Sequence, residues 1–126
     1  MIPGHNLAGR RILVVEDEYY IASDIRRALT KCGAAIVGPF GNLDEGLAYA
    51  ARDPLDAALL DVNLGSASSY PIAEELSRRG VPYLFLTGYD QWSLPLEFRS
   101  SPRIGKPFTF SVLLDALERL LLETAE

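Results

Sequence analysis

Short runs rich in Val, Ile and Leu alternate about five times with stretches whose apolar residues recur every three or four positions. This alternation constrains the chain more than any other feature. A chain that switches repeatedly between strand and helix periodicity folds as an open parallel sheet covered by helices on both faces. The strand-like runs lie at Arg11 to Val15, Ala34 to Gly38, Asp56 to Val62 and Val81 to Thr87, with a short one reaching Lys106. They are nearly continuous in apolar residues rather than alternating, as expected for strands buried on both faces.

The helical stretches between them carry recognisable ends. Ile21, Ile25, Ala28, Leu29 and Cys32 fall on one face, and Gly33 supplies a stop. Asn42 followed by Glu45 resembles a capping box opening a helix with Leu43, Leu47 and Ala51 turned inward. Pro71 suits a first helical turn, Ile72, Ala73 and Leu76 make an inward face, and Arg78, Arg79 and Gly80 end it. After Thr109, a long helix presents Leu113, Ala116, Leu117, Leu120 and Leu121, with Leu122 outside the stripe. Between Gly88 and Arg103, Pro95, Pro102 and the scattered Trp92, Leu94, Leu96 and Phe98 fit neither period, so a short or irregular connection is expected there. Residues 1–10, with Pro3, Gly4 and Gly9, read as a flexible leader in which His5 is inert, ahead of one domain at 11–124.

Composition narrows the function classes. A length of 126 residues with 48% hydrophobic content supports one core-bearing domain. The net charge of −5 removes the electrostatic attraction on which non-specific nucleic-acid binding depends. The single cysteine, Cys32, cannot make an internal disulfide, and no Cys/His cluster suggests structural zinc. No apolar run approaches the roughly 18–20 residues of a membrane span, and Met1 to Arg10 lack a signal-peptide core, so a cytoplasmic location is expected.

The residues able to do chemistry stand where the apolar runs stop. Glu16 and Asp17 follow the first run, Asp61 ends the third, Thr87 ends the fourth and Lys106 follows the last. Sites in open parallel sheets form beyond the carboxyl ends of the strands, so these residues are expected to converge. Three carboxylates in one place repel unless a cation joins them, and oxygen donors without His or Cys suit Mg²⁺. Mg²⁺ keeps several waters and takes a substrate phosphate readily, which points to phosphoryl chemistry. A carboxylate such as Asp61 can attack phosphorus when cations offset the crowded charge, and Lys106 would add to that offset.

The segments Ile12 to Glu18, Leu59 to Leu64, Phe85 to Gly88 and Lys106 to Phe108 together resemble the receiver domains of two-component response regulators, over about residues 10–124. The resemblance implies a flavodoxin-like (βα)5 fold with sheet order 2-1-3-4-5. It implies Asp61 as phospho-acceptor, with Thr87 as the hydroxyl that moves onto the phosphoryl group and Lys106 as its salt-bridging partner. Mg²⁺ would be held by Glu16, Asp17, Asp61 and the backbone carbonyl of Asn63, and the bond before Pro107 would be cis. The donor would be a histidine kinase. The output would be a conformational signal to a protein partner, or relay of the phosphate to another histidine, with no nucleic-acid or membrane partner and no free-standing enzyme activity. Two departures stand out. Arg103 occupies the place, three residues before the lysine, where receivers commonly carry a switch aromatic. The Thr87 to Lys106 interval is also short and rich in Pro, and the Phe85 to Tyr89 segment before and into it is loosely similar to a Phe-Ala-Thr-Gly-x-Tyr-like signature of stand-alone receivers. An irregular segment 88–103, with Tyr89, Trp92, Leu94 and Phe98 as a surface that orders on phosphorylation, would then carry the output. The competing readings are an aspartyl-nucleophile phosphatase of the haloacid dehalogenase type, against which stands Asn63 in place of a second Asp, and a phosphate-independent pseudo-receiver, against which stands the complete residue set.

Overall fold

In the computed structural model, which describes residues 5–88 and 94–124, five strands form one parallel sheet: β1 (Arg11–Val15), β2 (Ala35–Phe40), β3 (Ala57–Asp61), β4 (Tyr83–Thr87) and β5 (Arg103–Gly105). Their order is β2-β1-β3-β4-β5. Helices α1 (Tyr19–Lys31), α2 (Leu43–Arg52), α3 (Tyr70–Arg79) and α4 (Phe110–Thr124) follow β1, β2, β3 and β5. The β4–β5 connection contains a single 3₁₀ turn, Leu96–Phe98, among the described residues. The doubly wound architecture is that expected from the alternation and the strand order is that implied by the resemblance, with the irregular crossover in the expected place.

Each strand feeds two cores because successive side chains point to opposite faces. Ile12, Val14, Leu59 and Leu86 pack with Ile25 and Leu29 of α1 and Leu113 and Leu117 of α4. Leu13, Val15, Leu60 and Phe85 pack with Ala50 of α2 and Ile72 and Leu76 of α3. Every residue of β3 is buried. The central strand therefore carries Asp61, its last residue, to a position only 6% exposed. The local stops also work as read. Gly33 has φ +94° beyond α1, Gly80 is left-handed beyond α3, and Glu45 N–H donates to Asn42 Oδ1 at 2.9 Å while Asn42 Nδ2 donates to Glu45 Oε1 at 2.7 Å.

Three expectations need correction. Ala51 is exposed, and the buried positions of α2 are Gly46 and Ala50. The helix is rotated because Gly46, lacking a side chain, lets it lie against Val15 and Ile72; a Cβ there would come within 2.8 Å of Ile72 Cδ1. The flexible leader does not extend through residue 10. Leu7 is 1% exposed within the core, its N–H donates to Cys32 O at 2.8 Å, and Gly9 N–H donates to Gly33 O at 3.1 Å. His5 is correspondingly engaged, with Nδ1 2.5 Å from Glu118 Oε1 and 3.6 Å from Asp115 Oδ1. Finally, Leu94 and Phe98 are 1% and 4% exposed and belong to the second core, so they present no surface in this state. Tyr89 and Trp92 lie outside the described residues.

Candidate functional site

The site is assembled by strand ends. Glu16 and Asp17 emerge from β1, Asp61 closes β3, Thr87 closes β4, and Lys106 follows β5, where its N–H donates to Thr87 O at 2.8 Å. Asn63 lies in the β3–α3 loop, its N–H donating to Asp61 Oδ1 at 3.3 Å and its Oδ1 accepting from Gly65 N–H at 3.1 Å. The sequence-derived residues thus come together at the carboxyl edge of the sheet. Carboxylate oxygens of Glu16, Asp17 and Asp61 lie within 4.8 Å of one another. Asp17 is exposed while Glu16 and Thr87 are each 2% exposed, so the cluster has a wet side and a buried side. An open cavity of ≈ 390 Å³ lies over it, lined by Asp17, Asp61, Asn63, Gly65, Gly88 and Lys106 among others.

Lys106 is the counter-charge. Its Nζ lies 2.8 Å from Glu16 Oε1 and 3.2 Å from Asp61 Oδ2. Burial works against its charge, but the hydrogen bond and charge of Glu16, together with Asp61, carry the ammonium above the ordinary lysine range. One lysine does not balance the site. Burial first, and then the neighbouring Glu16, push the Asp61 carboxyl from 3.8 up to about 7, and the attraction of Lys106 does not cancel the rise. Glu16 Oε1 is buried and, apart from facing Lys106, has no well-directed hydrogen bond. Clustered oxygen donors with surplus negative charge and an open side fit a hard divalent cation. That cation would favour the ionised, nucleophilic form of Asp61.

The comparisons decide the family. Residues 12–118 match the response regulator receiver domain model. The chain belongs to the response regulator receiver family. The receiver is 32% identical over 113 residues to the transcriptional regulatory protein PdtaR of Mycobacterium tuberculosis, covering 86% of this chain and 55% of that protein. It spans about half the length of the curated relatives it matches. The solution structure of SdrG from Sphingomonas melonis Fr1 superposes with a TM-score of 0.77 at 38% identity, covering 89% of this receiver and 96% of that chain. A response regulator from Thermotoga maritima, TrrA, solved in complex with Mg²⁺ and BeF, superposes at 0.77 with 25% identity, covering 88% and 98%. Receivers are signalling domains, and the acidic pocket of this one corresponds to the place where the family binds Mg²⁺. No helix among the described residues is long and apolar enough to cross a membrane.

Some features of the site were not read from sequence. Glu16 Oε2 accepts from Glu18 N–H at 3.0 Å, which fixes its carboxylate. The Gly38–Pro39 peptide is cis, as is Lys106–Pro107, the latter in agreement with the resemblance. Arg103 caps the crossover turn, donating to the carbonyls of Phe98, Arg99 and Ser101. An aromatic group of Tyr70, Tyr83, Phe85 and Phe98 lies in the second core. Its only sequence signal was the placement of aromatics around a proline-rich, aperiodic segment.

Proposed function

We propose that this receiver accepts a phosphoryl group on Asp61 from the phosphohistidine of a histidine kinase, in a Mg²⁺-dependent reaction in the cytoplasm. It then signals to a protein partner or relays the phosphate. The observation that carries the reading is the contact of Lys106 Nζ with both Asp61 Oδ2 and Glu16 Oε1, at the mouth of a cavity rimmed by Asp17. In the transfer, an Asp61 carboxylate oxygen forms a bond to phosphorus as the phosphorus–nitrogen bond breaks. The imidazole nitrogen keeps the bonding pair and takes up a proton. Lys106 offsets the charge gathered on the phosphoryl oxygens, and Thr87 supplies a hydroxyl at the same edge. Bound to Glu16, Asp17, Asp61 and the Asn63 carbonyl, Mg²⁺ would supply Lewis-acid charge neutralisation.

Incubation with acetyl phosphate and Mg²⁺, followed by intact mass, tests the proposal. The expected result is one phosphoryl adduct that fails to form when a chelator replaces the metal. Catalytic turnover of the donor without an adduct would favour the phosphatase reading, and no reaction would favour a pseudo-receiver.

A further inference from the structure

The β3–α3 loop is a closed hairpin rather than a slack connection. Asn63 N–H donates to Asp61 Oδ1 at 3.3 Å, Asn63 and Ser68 form an antiparallel bridge, and Ser69 N–H donates back to Val62 O at 3.0 Å. Tyr70, the next residue, opens α3. The backbone that contacts the Asp61 carboxylate is therefore joined, through the hydrogen bonds of the hairpin, to Ser69, the residue before Tyr70.

The Tyr70 ring lies against the crossover. It stacks on Phe98 at a centroid distance of 5.0 Å and an interplanar angle of 14°, and both rings meet Phe85 of β4 edge-on, at 6.0 and 5.6 Å. Phe98 ends the 3₁₀ turn, and its carbonyl accepts from Ser101 N–H at 3.0 Å and from Arg103 at 3.5 Å. Arg103 begins β5, which leads directly to Lys106 and back to Asp61 at 3.2 Å. The contacts make a closed circuit from Asp61 through Tyr70, Phe98 and Arg103 to Lys106. Arg103 stands where a switch aromatic is usual and acts as a fixed cap on carbonyls. The aromatic contact between site and crossover is made from the other side, by Tyr70.

We propose that Tyr70 is the positioning residue that conveys the phosphorylation state of Asp61 to residues 94–101, through its stack on Phe98. This rests on the phosphoryl acceptance proposed above. A phosphoryl group held at Lys106 and at the Asn63 end of the hairpin pins the circuit at both ends, and a new charge with strong acceptor oxygens orders the elements it ties together. The stack then tightens, and the crossover becomes harder to open.

Amide exchange of residues 94–101, with and without beryllofluoride and Mg²⁺, tests this in wild type, Tyr70→Leu and Tyr70→Phe. In wild type the mimic is expected to slow exchange at these amides by about threefold or more, as for a local opening made costlier. Tyr70→Leu should take up phosphate from acetyl phosphate at the wild-type rate and lose this slowing, and Tyr70→Phe should keep it. Phe98→Leu, which removes the other ring and keeps an apolar side chain, should behave as Tyr70→Leu does, and it decides the matter if Tyr70→Leu does not fold. Slowing that persists in the Leu variants would overturn the proposal. So would a wild type that is phosphorylated yet shows unchanged or faster exchange, a result that leaves phosphoryl acceptance standing. A wild type that takes up no phosphoryl group would instead remove the function on which the proposal rests.

Discussion

Lys106 Nζ lies 3.2 Å from Asp61 Oδ2, so the cation that would face a phosphoryl group is already in contact with the carboxylate that would receive it. Replacing this lysine by methionine keeps much of the apolar stem and removes the charge. Asp61 then loses the cationic neighbour whose charge lowers its pKa. Lys106→Met is expected to slow phosphorylation by acetyl phosphate by about a hundredfold, the scale seen when one preorganised charge-stabilising donor is removed. Quenched intact-mass time courses check this, and a rate within a few-fold of wild type would contradict it.

The raised pKa of Asp61 also makes a statement about stability. With no metal bound, the folded carboxyl titrates near 7 while its ordinary value is 3.8. Between those values the folded state holds a proton that the unfolded chain has released. The contribution of Asp61 is therefore fully present below the unfolded value and is lost as pH rises through the folded one. In chelator, the stability of wild type relative to Asp61→Asn is expected to fall from pH 5 to pH 8, and saturating Mg²⁺ should restore much of the loss at pH 8 by mass action. Urea unfolding of both proteins across this range measures it. A difference that is constant or grows with pH would be contrary.

Gly46 tests whether the α2 interface is as close as the structure shows. Alanine in a helix interior is favoured over glycine by about 1 kcal/mol. Here the added methyl would stand 2.8 Å from Ile72 Cδ1 and 3.1 Å from the stiff Val15 Cγ2. Overpacking of that kind costs about 1–3 kcal/mol, so the clash outweighs the propensity gain. Gly46→Ala is expected to destabilise, by about 1 kcal/mol net, in chemical denaturation. A stabilised variant would show that α2 sits further out.

Legibility in the sequence followed periodicity. The five strands, the capping box at Asn42 and the meeting of Glu16, Asp17, Asp61 and Lys106 at one edge of the sheet could all be read, because buried parallel strands and caps leave patterns within a few residues of one another. The rotation of α2 could not, since Gly46 carries no hydrophobic signal and its burial depends on Ile72, far away in sequence. The same holds for Leu7, an isolated leucine among turn residues that is buried between α1 and α4 by tertiary contacts. Leu7→Ala is accordingly expected to cost about 2–5 kcal/mol, the range for truncating a core leucine, whereas a residue in a loose leader would cost almost nothing. Phe98 escaped for a related reason: its partners Tyr70 and Phe85 come from two other elements.

The central claim is that Asp61, among all 17 acidic residues, is the one that takes the phosphoryl group. Intact mass of wild type and Asp61→Asn, incubated side by side with acetyl phosphate and Mg²⁺, tests it most directly. The expected result is a single adduct on wild type and none on the variant, with matching circular dichroism showing that both are folded. A folded Asp61→Asn protein that gains one phosphoryl group at the wild-type rate would contradict the account.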